Sequence, residues 1–400
     1  MLDFQRVAAQ YQETLLGRIV PFWLKHSRDP VCGGYFDGLD ADGQPIDGDK
    51  SITQQARQVW AFAWLYANVQ DTPAWLAHAQ HGADFLAQCA HDEHLNAYAV
   101  VDRRGRPVAT ATNLIPDSSV AMGYAQMYRA TGNDEWAMLA KQTLTNLLGR
   151  RAAARQQTHA LGSIRPLKHL SEPVALLKTL VDLKELLDEQ AWKDTIDSVK
   201  TELLTEFLDR RLDLLRETVG PEGTFYNTPE GRRLSPGLAF EAAGYLFDLS
   251  RQTGDQKLAL RVVGWVLRFC EAAWDDIGGG LVRWIDLKDE LTIFPEASQR
   301  WASVHLEGIA ALSKGYYQTR HPDCPRWIKR IHDYTFQFFP DPKHPAWHLV
   351  LDRTAKPLLM AKATPTDGCF QFIKCMADAW QTLDKCGQLQ PAGKRIKTGL

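Results

Sequence analysis

Three short stretches of this 400-residue chain share one turn: LDADGQP at 39–45, VDRRGRP at 101–107 and LDRTAKP at 351–357. Each reads apolar residue, Asp, two variable residues, a small residue, one variable residue, then Pro. Each follows a strand-like piece, GGYFDG, NAYAV or AWHLV. Asp, Gly and Pro in this order favour a hairpin turn. The Asp positions are 40, 102 and 352, so the gaps are 102 − 40 = 62 and 352 − 102 = 250, the second close to four times the first. A fixed period of this size marks a repeat architecture, and about six such units fill most of the chain. Intermediate turns are then expected near 165, 227 and 290, where the chain reads LGSIRPLK, GPEGTFYNTPEGRR and GGGLVRWIDLKDEL. The last two look like aromatic hairpins, and the first is degenerate.

Between the turns the apolar period becomes helical, with apolar residues recurring at three and four. One set of six helices is predicted over 57–69, 118–131, 172–187, 238–253, 303–319 and 369–383. A second set is predicted over 5–23, 72–90, 134–151, 192–209, 256–274 and 327–339. The first set is apolar nearly all round and belongs inside; the second has a polar face and belongs outside. Six helix pairs joined by hairpins predict an all-α fold, an (α/α)6 barrel with short hairpins at one end. It is read as one domain over 1–390 with a C-terminal tail at 391–400. Such a ring makes one end a funnel, and ligands favour concave sites. Residues at the starts of the inner helices are therefore the functional candidates.

Charge excludes some partners. The chain carries 46 Lys and Arg against 48 Asp and Glu, a net charge of −2, with no long single-sign run. That leaves no electrostatic footprint for nucleic acid or an anionic membrane. The seven cysteines are scattered and form no CxxC pair, as expected of free thiols in a reducing cytoplasm. MLDFQRVAAQYQ lacks the regions of a signal peptide, and no apolar run approaches the roughly 20 residues of a membrane span.

The chain resembles the N-acylglucosamine 2-epimerase family, which includes relatives that act as cellobiose epimerases and mannose isomerases. PFW at 21–23, GGYFDGLDADGQP at 33–45, DKSITQQARQVWAF at 49–62, VHLEGIAALSKGY at 304–316 and HDYTFQFFPDP at 332–342 carry the resemblance. It implies an (α/α)6 barrel and proton abstraction at C2 of a ring-opened sugar, through an enediolate. It also implies two histidines on inner helices, one after a Pro-Gly turn and one after Gly-x-Phe. Here those motifs read SPGLAFE and GCFQ, which put Leu238 and Gln371 at the two positions. Leu has no proton chemistry, and Gln does not titrate near neutrality.

Other positions of the resemblance keep polar side chains. Arg57 matches an Arg that lines the sugar site, where a guanidinium can hold a developing enediolate oxygen. Glu241 and Glu307 match two carboxylates, and burying either requires a partner. His169 and Glu172, three residues apart, are expected to face one way on a helix and resemble the His-x-x-Glu of the mannose isomerase and cellobiose epimerase branches. Arg165 resembles the N-acylglucosamine branch instead. The candidate catalytic groups are thus His169, Glu241 and Glu307, with Arg57, Glu172, Leu238, Trp301 and Gln371 around the substrate. Trp60 and His305 read as packing residues. The stretch KATPTDG at 362–368 lacks the glycine pair of a phosphate cradle and offers only Lys362 as a cation, so no nucleotide effector is expected. No cofactor or metal is expected either. The expected partner is a small-molecule sugar, and the chain is expected to be cytoplasmic, with a homodimer as its candidate assembly. Two other functions stay open: a sugar-binding sensor without turnover, and a glycoside hydrolase working through two carboxylates.

Overall fold

The computed structural model describes residues 2–158, 167–290 and 293–389. Among these residues twelve long helices form two concentric rings. The inner ring is α2 (Ile52–Asn68), α4 (Ile115–Thr131), α6 (Ser171–Asp182), α8 (Pro236–Thr253), α10 (Ala302–Thr319) and α12 (Cys369–Gln388). The outer ring is α1 (Phe4–Thr14), α3 (Pro73–Cys89), α5 (Asp134–Thr158), α7 (Glu189–Glu202), α9 (Gln256–Ala273) and α11 (Cys324–Phe338). α1 runs on through a π-helical turn at Leu15–Ile19 into Val20–His26. Each inner helix packs on the next, and α12 returns to α2, so the ring is closed. Each outer helix packs on an inner one, with α1 against α12.

Helix burial follows the residue pattern. In α4 every residue from Pro116 to Met127 is buried, because this helix touches neighbours on all sides. In α11 the buried residues Trp327, Ile328, Ile331, Tyr334 and Thr335 form one stripe, as an outer helix requires. Asp188 and Asp255 cap α7 and α9 by accepting from Ala191 N–H and Leu258 N–H. Gly132 and Gly254 end α4 and α8 in the left-handed conformation, at φ 69° and 71°.

The Asp turns are one device repeated. Asp40, Asp102 and Asp352 each accept, through Oδ1, the backbone N–H two and four residues on, at 2.7–2.9 Å. Asp286 does the same with Lys288 and Glu290 at 2.8 and 3.4 Å, in the segment expected to turn near 290. The segment near 227 departs from expectation. It forms a 3-10 turn at Pro221–Gly223 and a short helix at Pro229–Arg232, not a hairpin. The hairpin of that unit lies earlier, where Leu208–Asp209 pairs with Leu214–Leu215. Its Asp209 accepts from Arg211 N–H, so the Asp took the turn and the aromatic residues did not. The turn expected near 165 lies largely outside the described residues.

Strand pairing stitches the units together at this rim. The strand before an inner helix pairs with the hairpin of the next unit: Lys50–Ser51 with Val100–Val101, Arg233–Leu234 with Ile285–Asp286, and Arg300–Trp301 with Val350–Leu351. Leu39 bridges to Ala363, which closes the circle. Buried carboxylates lock the same seams. Asp29 holds Lys50 at 3.1 Å and Arg103 at 2.9 Å. Asp275 holds Arg300 at 2.5 Å and Arg353 at 2.9 Å. The cations recur at 300 − 50 = 250 and 353 − 103 = 250, the spacing of the turns themselves. Asp341 supplies the closing seam. It holds Lys362 at 2.6 Å and His344 at 2.8 Å, and His344 reaches Asp42 of the first turn at 3.2 Å.

Candidate active site

The hairpins stand at the end where the inner helices begin, so the first turns of those helices face the funnel. The sixth residue of four inner helices is charged: Arg57 of α2, Glu241 of α8, Glu307 of α10 and Lys374 of α12. Lys178 of α6 joins this layer, donating to Glu241 Oε1 at 3.1 Å, with Lys178 buried and Glu241 partly buried. Arg57 lies over the Phe370 ring, 5.5 Å from its centroid. Its Nε is buried without a hydrogen-bond partner among the described residues. Arg57, Lys178, Trp60, Ser119, Met122 and Phe370, from four inner helices, line one small pocket.

The charges differentiate these groups. Burial alone raises the Glu241 carboxyl, but Lys178, Arg57 and Lys374 outweigh it and hold it below the usual carboxylate range. Glu307 goes the other way. Burial pushes it up, the negative charge of Glu241 adds to this, and Lys374 and the Cys375 thiol only partly compensate. Burial pulls Lys178 down; Glu241 opposes this and Arg57 reinforces it. Burial acts on Lys374 too, but Asp378, Tyr245 and Glu307 hold it well above the usual lysine range. Lys374 donates to Asp378 at 3.1 Å and lies over the Tyr245 ring at 4.7 Å. Below it Lys314 bridges Asp248 and Asp378 at 2.7 and 2.8 Å. A ladder of alternating charge thus descends inside the barrel from the funnel.

The residues singled out from the sequence divide into three groups. Arg57, Glu241 and Glu307 share the charged layer. Leu238, Gln371 and Trp301 stand above it at the starts of α8, α12 and α10, each half-buried. Trp301 carries the Arg283 guanidinium 4.3 Å from its ring and donates from Nε1 to Gln299 at 2.9 Å. His169 and Glu172 do not share a helix face as expected. His169 is exposed and lies before α6, in a strand pair with Thr218, while Glu172 sits in the first turn of the helix. Leu170 N–H bonds to Glu217 O at 2.8 Å, and this pairing holds the segment extended up to the helix start. Arg165 lies outside the described residues.

His305 and Trp60 behave as packing residues in part. His305 is buried, with Nδ1 on Trp301 O at 2.8 Å and Nε2 accepting from Leu281 N–H at 2.9 Å. Trp60 donates to Asp182 at 2.9 Å, yet its ring also lines the pocket. Lys362 is fully buried on Asp341 and is structural. The residues that sequence reading missed are Lys178 and Lys374. Each is a lone cation after a mostly apolar stretch of an inner helix, PVALL before Lys178 and FI before Lys374, and that mismatch was the available signal.

The comparisons with known proteins agree with this architecture. The family model described as N-acylglucosamine 2-epimerase matches residues 34–368. The chain is 30% identical to N-acylglucosamine 2-epimerase of Bos taurus over 392 residues, 94% of this chain and 92% of that protein. The chain belongs to the N-acylglucosamine 2-epimerase family. The Homo sapiens N-acylglucosamine 2-epimerase is 26% identical over 90% of this family member. Among solved structures, cellobiose 2-epimerase from Spirochaeta thermophila superposes with a TM-score of 0.82 at 17% identity, covering 96% of this chain and 98% of that one. A D-mannose isomerase superposes at 0.79 with 15% identity, covering 94% and 97%. These two share its fold. No helix among the described residues is long and apolar enough to cross a membrane.

Proposed function

We propose that this protein moves the C2 proton of an aldose or N-acetylhexosamine, as a 2-epimerase or an aldose–ketose isomerase. The observation that carries the reading is the charged layer in the first turns of the inner helices, where the Arg57 Nε has no hydrogen-bond partner among the described residues and Arg57 lines a small pocket with Lys178. In this reading Arg57 receives the carbonyl oxygen as it becomes an enediolate oxygen, where preorganised donors are most effective. Glu307, its carboxyl pushed toward the protonated form, serves as a proton donor within the layer. Trp301, Leu238 and Gln371 enclose the sugar above it, and Glu172 and His169 stand at the mouth. The seven free cysteines fit a reducing compartment, and a cytoplasmic homodimer is part of the proposal.

The replacement of both histidines favours a second reading, a sugar sensor that binds without turnover. One experiment separates the two. Free and N-acetylated hexoses are incubated with the protein in D2O, and the C2 proton is followed by NMR. Loss of the C2 signal supports the enzyme. Saturable binding with an intact C2 proton supports the sensor, and absence of binding across the panel sinks both.

A further inference from the structure

We propose that the site takes a sugar bearing an anionic substituent, a carboxylate or a phosphate, and that Arg283 is the specificity residue that grips it. The inference rests on the sugar-binding reading above and narrows it to a substrate class. Its first support is an unused cation at the hairpin rim. Arg103, Arg232, Arg233, Arg300 and Arg353 of that rim each hold a carboxylate in an ion pair. Among the described residues Arg283 makes no ion pair, and its Nε is buried without a hydrogen-bond partner. The carboxylates that bear on it include Asp367, Glu217 and Glu296, and it pairs with none of these. Glu217 is taken by Arg233, which holds its two oxygens at 2.9 and 3.1 Å. Asp367 accepts instead from the Thr366 hydroxyl at 2.8 Å.

Its second support is placement. Arg283 N–H bonds to Gln299 O at 3.0 Å, which holds its segment beside the strand that leads into α10. The guanidinium rests on Trp301, 4.3 Å from the ring centroid, with Trp284 at 5.4 Å. An aromatic platform steadies a guanidinium without using its N–H donors. Arg283, Trp301, Trp284 and Asp367 are all half-buried, so they meet solvent above the buried layer. Asp367 connects this cation to that layer, for it stands within electrostatic reach of both Arg283 and Arg57. Gln54, one turn before Arg57 on α2, fixes the Asp367 turn by donating to Thr366 O at 2.8 Å.

The chemistry of the two guanidiniums then divides the ligand between them. Arg57 receives the carbonyl end in the reading above. Arg283 is left for a second group. A carboxylate or phosphate accepts two parallel N–H···O bonds from its fork, which a single sugar hydroxyl cannot do. A guanidinium drawn half out of water without a counter-charge is costly, and an anionic sugar supplies the missing charge. Burial also pushes the Asp367 carboxyl up, so it offers Arg283 little counter-charge and an incoming anion little repulsion.

The test measures the affinity of the full chain by isothermal titration calorimetry. The probes are mannose, mannuronate and mannose 6-phosphate, and N-acetylmannosamine with its 6-phosphate. An acidic sugar is expected to bind about 10- to 100-fold more tightly than its neutral parent, the usual worth of hydrogen bonds to a charged group. That ratio is expected to shrink as salt is raised from about 0.05 to about 0.5 M. It is expected to collapse toward one in Arg283→Gln, with Arg283→Lys keeping part of it. The tighter of mannuronate and mannose 6-phosphate tells carboxylate from phosphate. A wild-type ratio of one or less overturns the proposal, and that result needs no variant to fold; binding of the neutral parents then leaves the sugar-binding reading standing. A preference that survives in Arg283→Gln overturns the assignment to Arg283. Binding of no sugar in either series overturns the sugar-binding reading, and this proposal with it.

Discussion

At the scale of single residues, the site sets two cations to different uses. Among the described residues Arg57 has a free Nε and no ion pair with a carboxylate, whereas Lys374 is locked on Asp378. Replacing each should therefore have a different signature. Arg57→Gln is expected to lower C2 exchange by about 10²–10³-fold, the usual effect of removing one oxyanion donor, with a small change in melting temperature. Lys374→Met takes one of two ammonium groups from Asp378, which keeps Lys314 at 2.8 Å, so the expected loss is below the about 3–5 kcal/mol of an orphaned buried charge. Its expected readout is a fall in the urea midpoint; a variant as stable as wild type would show the ladder to be dispensable. His305 makes the complementary point about reading residues from sequence. It read as a packing residue, and both its nitrogens are used inside the core. The helix face expected to join His169 and Glu172 is absent because helical spacing was assumed for a residue that strand pairing holds extended.

At the scale of elements, the seam carboxylates are the device that aligns hairpins with helices. Asp275 joins the strand before α10 to the turn after α11 through Arg300 and Arg353. Asp275→Ala strands the fully buried Arg300, and a loss of about 3–5 kcal/mol is expected from urea unfolding. An unchanged midpoint would refute this role. The Asp turns and the two helix sets were legible in the sequence because each has a local cause: an Asp side chain accepting two backbone N–H groups, and apolar residues at three and four. The seams were not legible, since Asp29 and Arg103, 74 residues apart, share no pattern until the chain closes on itself. The same holds at the site. Arg57, Glu241 and Glu307 were marked by resemblance, but Lys178 emerged only once α6 and α8 were seen side by side. Near 227 the aromatic residues suggested a hairpin, and the Asp at 209 made it instead.

At the scale of the whole molecule, the buried titratable groups set an acid limit. Burial pushes His78 and His305 down to about 3 and His332 to about 4. Unfolded histidines take up protons near 6.5, so stability is full above that pH and falls as pH drops below it. Asp37, pushed up to about 7 by burial, works the opposite way over the same range, and three histidines outweigh it. Asp29, Asp275 and Asp341 resist the upward push of burial because their ion pairs and backbone N–H groups hold them well below the usual carboxylate range. Their stabilisation is lost as pH falls through and below about 3.9. Urea midpoints should thus be level from pH 8 to about 6.5, decline toward pH 5, and decline more steeply below 4. His305→Gln should flatten the upper limb, and a midpoint unchanged between pH 7 and 5 would contradict the account. Closure of the ring also governs how the chain is made. α12 seals the gap between α10 and α2 and covers α1, so the earliest helices lack a neighbour until the last of the twelve has been synthesised. Contacts that span nearly the full length fold slowly, and apolar faces left open meanwhile invite aggregation. A ribosome translating this message holds an unfinished barrel with an open slot for almost the whole of elongation, and the nascent chain needs shelter until α12 emerges.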